Sequence, residues 1–304
     1  MLEWGRAMKT LPNNAKKARM SGYALGVAAA VSYASNAFFS LPLLKGGVGV
    51  SSVLFWRYLP AVLLYALLTA GVKRQSLRLP RAAVLPLALL SLLFCGSALA
   101  LYSAFLYIDG GLAMTILFVY PAMVTLLSVC FFGEQVSVRL LAALAASGAG
   151  VALLYGWGSG AVLDWRGVGL ALLSAACYAL YILGVRHIRP VKGLRAELLT
   201  FYIMLFGLLL FSARLAVGGA MQVPEGALQW GCVCALALVP TIVALETFTR
   251  SLRLIGAVKA AILCSLEPPV AILLGVCFYG EALTLRCIIG AALILSGVLA
   301  VLRR

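Results

Sequence analysis

One stretch of the chain is repeated, and this repeat is the strongest constraint on the fold. Residues 116–153 recur as residues 263–300 at a constant offset of 147. Identical residues of several chemical types align between the two copies without a gap, for example Pro121 with Pro268 and Arg139 with Arg286. Chance does not align so many different residues. The chain therefore consists of two copies of one unit, and a functional site is expected where the copies meet.

Long apolar runs make up most of both copies. Hydrophobic residues account for 64% of the 304 residues and charged residues for 11%, whereas soluble domains carry about 25% charged residues. The runs are continuous rather than alternating, and a segment in lipid must satisfy its own backbone hydrogen bonds, so each run of about 20 residues predicts a helix. The sequence thus predicts an all-α integral membrane protein with ten transmembrane helices. The expected spans are 22–44, 52–72, 83–107, 111–131, 138–156, 167–186, 196–217, 228–248, 256–278 and 285–302.

The positive charges are distributed unevenly between the two sets of loops. Nineteen Lys and Arg lie on the side of the two termini and four on the other side, with Arg57 inside a span. The positive-inside rule then places both termini in the cytoplasm of a multi-pass protein of the plasma (inner) membrane. The net charge of +15 is explained by this topology, so nucleic acid is not an expected partner. An odd number of helices per copy inverts the second copy, which predicts a basic tail (1–20) and two inverted five-helix repeats (21–156 and 157–304).

The second copy resembles a known family. An apolar helix with Glu267-Pro268 is followed by Gly280-Glu281 and by a glycine-containing helix that ends in basic residues, and this order resembles the EamA domain. Over about residues 20–304 the duplicated chain is similar to a ten-helix member of the drug/metabolite transporter superfamily. The first copy departs from the pattern because Tyr120 stands where the second copy has its glutamate. Any role of that glutamate is therefore single rather than paired.

Glu267 is the strongest candidate for a functional residue because it lies near the middle depth of its predicted span. An ionised carboxylate there costs at least about 2.5 kcal/mol, so it must be protonated, paired or exposed to a wet cavity. Pro268 and Pro269 remove two backbone donors directly after it, and Tyr120-Pro121 lies at the matching position of the first copy. Paired proline-interrupted helices indicate a binding site at the membrane midplane. The alternative is that the prolines only bend the helices and that Glu267 bonds a neighbouring helix.

Three further charged residues are candidates for gating or ion pairing. Glu246 and Arg250 lie one helical turn apart and can pair on one face, which predicts an interfacial salt bridge, with a gate or substrate clamp as the alternative. Pro240 would allow a local opening of the same helix. Arg57 matches an arginine common in EamA domains. A structural role at the outer rim is expected for it, with the charge extended toward the surface, and binding of a substrate carboxylate is the alternative.

Polar groups at mid-depth are expected to provide hydrogen bonds and aromatic faces to a central cavity. With Glu267, the expected substrate-binding set is Asn36, Tyr33, Tyr102, Tyr120, Tyr178 and Tyr181. Small-residue runs such as Gly148-Ala-Gly150 let helices pack closely, either within the scaffold or at a homodimer face.

The function predicted from these features is secondary active transport of a small polar metabolite by alternating access. The resemblance implies export and places amino acids first among the substrates. No Gly-x-x-x-x-Gly-Lys-Ser/Thr motif is present, so neither ATP nor another cofactor is expected. Coupling of transport to a proton that binds Glu267 is an alternative to substrate binding by this residue. The alternatives are an intramembrane enzyme, for which the catalytic motifs are missing, and a passive channel, for which no filter sequence is found.

Overall fold

The computed structural model describes residues 2–72, 76–104, 107–108, 110–155, 164–218, 220–279 and 284–302, and these residues form helices without strands. Gly280-Glu281, part of the repeated motif, lies outside the described residues. In chain order the elements are α1 (Leu2–Lys45), α2 (Val50–Ala66), a π-helical segment π1 (Leu67–Val72), α3 (Arg81–Ala104), α4 (Gly110–Leu117), α5 (Tyr120–Phe132), α6 (Val138–Tyr155), α7 (Trp165–His187), α8 (Arg189–Lys192), α9 (Ala196–Gly218), α10 (Gly226–Ala237), a second π-helical segment π2 (Leu238–Val243), α11 (Ala244–Ile255), α12 (Ala257–Cys264), α13 (Glu267–Tyr279) and α14 (Leu285–Leu302).

The all-helical membrane architecture is confirmed, but the predicted number of ten spans is not. Within the described ranges, nine helical stretches are long and apolar enough to cross a membrane. A further apolar helix, Val138–Leu154, is shorter. The span made of α10, π2 and α11 runs over Gly226–Ile255, well beyond the predicted end at residue 248. The prediction ended too early because charged residues interrupt the apolar pattern, and the structure pairs those charges inside the protein.

The two copies interrupt a transmembrane helix at equivalent positions. In the first copy α4 ends at Leu117 and α5 begins at Tyr120; in the second, α12 ends at Cys264 and α13 begins at Glu267. All four positions are related by the offset of 147. Each break is tightened by an i→i+3 hydrogen bond of 3.1 Å, from Val119 to Ile116 and from Leu266 to Leu263. A proline at the second residue of the following helix suits the break, since its missing N–H is not needed there.

The helices pair across the two copies rather than within each copy. Helix α1 packs on α11, α2 on α9, α3 on α7 and α6 on α14, so each of these pairs joins the first unit to the second. The last pair approaches closely, because a Cβ built on Gly150 would lie 2.6 Å from the carbonyl oxygen of Gly290. Gly150 therefore serves the scaffold within one chain.

Contacts between loops define two faces of the bundle. On the first, Arg195 donates to the carbonyl of Ser76 at 2.9 Å, and the ring of His187 stacks on Phe132 at a centroid distance of 3.6 Å. We call this side, with residues 76–80, 133–137 and 188–195, the basic face. On the other side, Trp56 Nε1 donates to the carbonyl of Gln222 at 3.0 Å. That side, with residues 46–49 and 220–225, is the opposite face.

Candidate functional site

A cavity of about 410 Å³ lies between the two copies at the level of the helix breaks. Helices α1 to α5 of the first copy and α7 and α13 of the second contribute its walls. It extends from Glu267 and Pro268, in the first turn of α13, to Leu44 near the end of α1. The cavity therefore reaches from the middle of the bundle toward the opposite face. Its volume is in the range of about 300–1,000 Å³ that is typical of small-molecule sites.

Most of the predicted substrate-binding residues line this cavity. Besides Arg57, Glu267 and Pro268, the lining residues include Tyr33, Asn36, Tyr102, Tyr120 and Tyr178. Tyr181 does not line the cavity. Its ring stacks behind Tyr178 at a centroid distance of 6.0 Å, and the side chain is fully buried. Tyr178 and Tyr181 are nearly one helical turn apart and share a face of α7, but Tyr181 lies one turn deeper, where it packs on Phe94 and Tyr178.

Glu267 is half-buried and makes no ion pair with a described residue. Its carboxyl group is within hydrogen-bonding reach of the Cys264 thiol, which also neighbours the hydroxyl of Tyr120. The Tyr33 hydroxyl neighbours both the Glu267 carboxyl and the Arg57 guanidinium. A carboxylate and a guanidinium thus line one cavity, both near Tyr33.

Arg57 is not at the rim, as the sequence predicted, but buried in the protein with 4% of its surface exposed. Its Nε donates to Thr241 Oγ1 at 2.6 Å and its Nη2 to the carbonyl of Pro240 at 2.9 Å, both in π2, while Nη1 donates to Asn36 Oδ1 at 3.1 Å. These partners are neutral, and no described carboxylate lies within ion-pair distance. The prediction of an ion pair for Arg57 is therefore wrong for the described residues, because all of its hydrogen-bond partners there are uncharged. A guanidinium with neutral partners keeps its full positive charge for a ligand.

Aromatic rings close the cavity on the side of the basic face. The ring centroids of Tyr120 and Tyr178 are 4.7 Å apart, those of Phe94 and Tyr181 5.0 Å, and those of Tyr178 and Phe248 6.4 Å. We call these five residues the aromatic floor. Phe94 and Phe248 were not predicted, because a phenylalanine within an apolar run gives no sign of whether it faces lipid, a neighbouring helix or a cavity.

A network of charges lies between the aromatic floor and the basic face. Arg250 Nη2 lies 2.5 Å from Glu246 Oε1 and 2.6 Å from Glu197 Oε1, and the Tyr65 hydroxyl donates to Glu246 Oε2 at 2.5 Å. These four residues, the inner ion network, join α2, α9 and α11. The spacing of Glu246 and Arg250 on one helix face pointed to their contact. Glu197 and Tyr65 were missed, since they lie far away in the sequence.

The four prolines predicted to break helices fall in different surroundings. Pro268 lines the central cavity, and Pro269 next to it does not. Pro121 lines a second, mostly apolar cavity of about 390 Å³ between α4, α5 and α6. Pro240 lies in π2, where its carbonyl accepts a hydrogen bond from Arg57.

No metal-binding cluster is found in the described part of the chain. There, no three or more His, Cys, Asp or Glu residues are grouped so that they could hold a metal ion. The eight cysteines are free.

Comparisons with known proteins agree with this architecture. The sequence profile of the EamA-like transporter family matches residues 20–156 and, a second time, residues 165–303. An uncharacterized transporter of Archaeoglobus fulgidus is 31% identical over 196 residues, a match that covers 63% of this chain and 66% of the relative, just under two thirds of its length. A protein crystal structure superimposes with a TM-score of 0.74 at 22% identity, covering 92% of this chain and 96% of the other. At that identity the likeness shows the fold alone.

Proposed function

Because the chain belongs to the EamA-like transporter family, we propose that it is a secondary transporter that exports small zwitterionic metabolites by alternating access, with amino acids as the first candidates. The family supplies the premise that the chain is a membrane transporter. The substrate class and the mechanism are argued from the cavity.

The observation that carries the proposal is the pair of opposite charges near Tyr33 in one cavity. Glu267 and Arg57 line the same cavity, and neither makes an ion pair with a described residue. Charges inside a membrane protein are costly unless they are paired or solvated. A zwitterion supplies both partners, since its ammonium group can bind Glu267 and its carboxylate can bind Arg57. The mostly apolar remainder of the wall then accommodates a side chain.

The inverted arrangement of the two copies supports a mechanism of alternating access. The positive-inside rule assigns the basic face to the cytoplasm, so the cavity, which extends toward the opposite face, represents an outward-facing state. The aromatic floor and the inner ion network separate it from the cytoplasm. To admit substrate from inside, the floor must open and the contacts of Arg250 with Glu197 and Glu246 must separate. A proton on Glu267 would serve as the coupling ion whenever substrate is absent.

Counterflow in proteoliposomes tests the proposal. Vesicles are preloaded with unlabelled candidates, first an amino-acid panel and then purines and polyamines, and uptake of the labelled compound is followed for the parent, Glu267→Gln and Glu225→Gln. Glu225 is exposed at the opposite face and lies outside the cavity. Glu225→Gln therefore makes the same chemical change at a position that is not expected to bind substrate. We expect amino-acid exchange in the parent and in Glu225→Gln, and its loss in Glu267→Gln.

Two results would contradict the proposal. Exchange of purines or polyamines without exchange of any amino acid would remove the zwitterion as substrate class. Equal exchange by the parent and Glu267→Gln would assign this carboxylate a structural role and require another binding site.

A further inference from the structure

A buried thiol lies against the carboxyl group of Glu267. Cys264 ends α12 and Glu267 begins α13, three residues later and across the helix break. The side chain of Cys264 has 2% of its surface exposed and does not line the central cavity, whereas Glu267 does. The thiol and the carboxyl form a hydrogen bond. Glu267 therefore contacts both the cavity and a donor that lies outside it.

The thiol is the donor of this hydrogen bond when Glu267 is ionised, because a carboxylate only accepts and a cysteine has a single S–H donor. The hydroxyl of Tyr120 lies beside the same sulfur atom. It also donates a long hydrogen bond of 3.4 Å to the carbonyl of Ala261, in the last two turns of α12. Tyr120 of the first copy thus packs on the segment that carries the thiol and leaves the thiol proton to the carboxylate.

The internal repeat separates the role of the thiol from the formation of the helix break. At the offset of 147, Tyr120 is equivalent to Glu267 and Leu117 is equivalent to Cys264. The first copy makes the same break with a leucine, which has no hydrogen-bond donor in its side chain. A thiol is therefore not required for the break, and it occurs in the copy that carries the carboxyl.

We propose that Cys264 is the positioning residue of Glu267: its thiol donates to the carboxylate and holds it in a fixed orientation on the cavity wall. The thiol is a weak donor and occupies one of about four lone-pair positions of a carboxylate, so the carboxylate can still accept from a ligand. A side chain that is already ordered raises affinity, because the ligand does not have to order it. That the ligand is an amine rests on the proposed function, whereas the positioning of the carboxylate does not.

Infrared spectroscopy of the purified protein tests the hydrogen bond directly. The S–H stretching band lies in a region that other protein groups leave clear, and it moves to higher wavenumber when the hydrogen bond weakens. The band of Cys264 is obtained as the difference between spectra with and without Cys264→Ala, in the parent and in Glu267→Gln. We expect a higher wavenumber in Glu267→Gln, because a neutral amide oxygen accepts more weakly than a carboxylate.

The matched control for the spectra is Cys232, obtained in the same way with Cys232→Ala. This cysteine is also buried, but it packs with Leu43 and Val53 and does not line the cavity. Its band should be the same in the parent and in Glu267→Gln. A band of Cys264 that is equally unchanged would overturn the inference.

Displacement of a labelled amino acid tests the consequence for the site. The competitors are the unlabelled amino acid, its methyl ester, which keeps the amine, and its N-acetyl derivative, which keeps the carboxylate. Cys264→Ala should weaken the first two about fivefold and leave the third unchanged. Cys264→Ser, which keeps a donor, and Cys232→Ala should both bind like the parent.

A loss of affinity for all three competitors in Cys264→Ala, or an equal loss in Cys264→Ser, would mean that the thiol only fills space, and would overturn the inference. If the band of Cys264 shifts as expected but the parent binds no amino acid, the positioning of Glu267 stands and the proposed function fails. If amino acids bind and exchange while the band is unchanged, the proposed function stands and this inference fails.

Discussion

Arg57 Nη2 donates a hydrogen bond of 2.9 Å to the carbonyl of Pro240, so a cation of the first copy caps a π-helical turn of the second. Proline cannot donate in the helix and disrupts the regular hydrogen bonding around it, and π-helical turns are frequent at functional sites. Through its bond to Asn36, the same guanidinium also connects π2 to α1. Arg57 therefore holds the two copies together at the cavity wall.

Arg57→Lys keeps the positive charge but should weaken both the fold and the site, because one ammonium group cannot reach Thr241, Pro240 and Asn36 in the geometry of a guanidinium fork. We expect the free energy of unfolding to fall by about 1–3 kcal/mol, measured by denaturation in detergent. Arg214→Lys is the control, since Arg214 bonds Ser51 at an exposed position. Equal stability of the two variants would mean that the contacts of Arg57 with π2 contribute nothing.

Gly150→Ala should destabilise the protein while Gly148→Ala should not. A Cβ at position 150 would lie 2.6 Å from the carbonyl oxygen of Gly290, which is backbone and cannot yield, whereas nothing lies within 4 Å of a Cβ at position 148. Overpacking of this kind costs about 1–3 kcal/mol. Thermal unfolding in the same detergent compares the two variants. A similar unfolding temperature for both would show that α6 and α14 separate at little cost.

The repeated sequence predicted much of the fold. The offset of 147 relates the ends of α4 and α12 and the starts of α5 and α13 without error, because the same prolines act on the backbone locally in each copy. Similarly, mid-depth polar residues such as Tyr33 and Asn36 lie on the cavity, since a polar group in a span avoids lipid.

The contacts that fix the candidate site could not be predicted in the same way. Arg57 contacts Pro240 and Thr241 of π2, which lie 183 and 184 residues later in the sequence. No local sequence pattern predicts such a contact. Depth alone also cannot distinguish Tyr178, which lines the cavity, from Tyr181, which lies behind it. Charged residues within the eighth span led to a predicted end at residue 248. The structure pairs these charges between helices, as in the contact of Arg250 with Glu197, so the helix continues beyond that point.

Arg250→Ala should loosen the basic face. Without this guanidinium, Glu246 and Glu197 lose the cation that bridges them, so the contact of α9 with α11 is weakened. We expect faster amide hydrogen exchange in residues 196–200 and 244–255 of the protein in nanodiscs, with little change near residues 46–49. Arg286→Ala, an exposed arginine outside this network, is the control. If the two variants exchange alike in these segments, the inner ion network does not hold the basic face closed.

The most direct test of the central claim is equilibrium displacement of a labelled amino acid from the purified protein by three competitors. These are the same amino acid unlabelled, its methyl ester, which keeps only the amine, and its N-acetyl derivative, which keeps only the carboxylate. In the parent the intact amino acid should bind far more tightly than either derivative. In Glu267→Gln it should lose about tenfold in affinity and with it most of its advantage over the N-acetyl derivative, while the affinity of that derivative stays the same. If Glu267→Gln weakens all three competitors by the same factor, or none of them, Glu267 does not bind the amine and the account of opposite charges in one cavity is wrong.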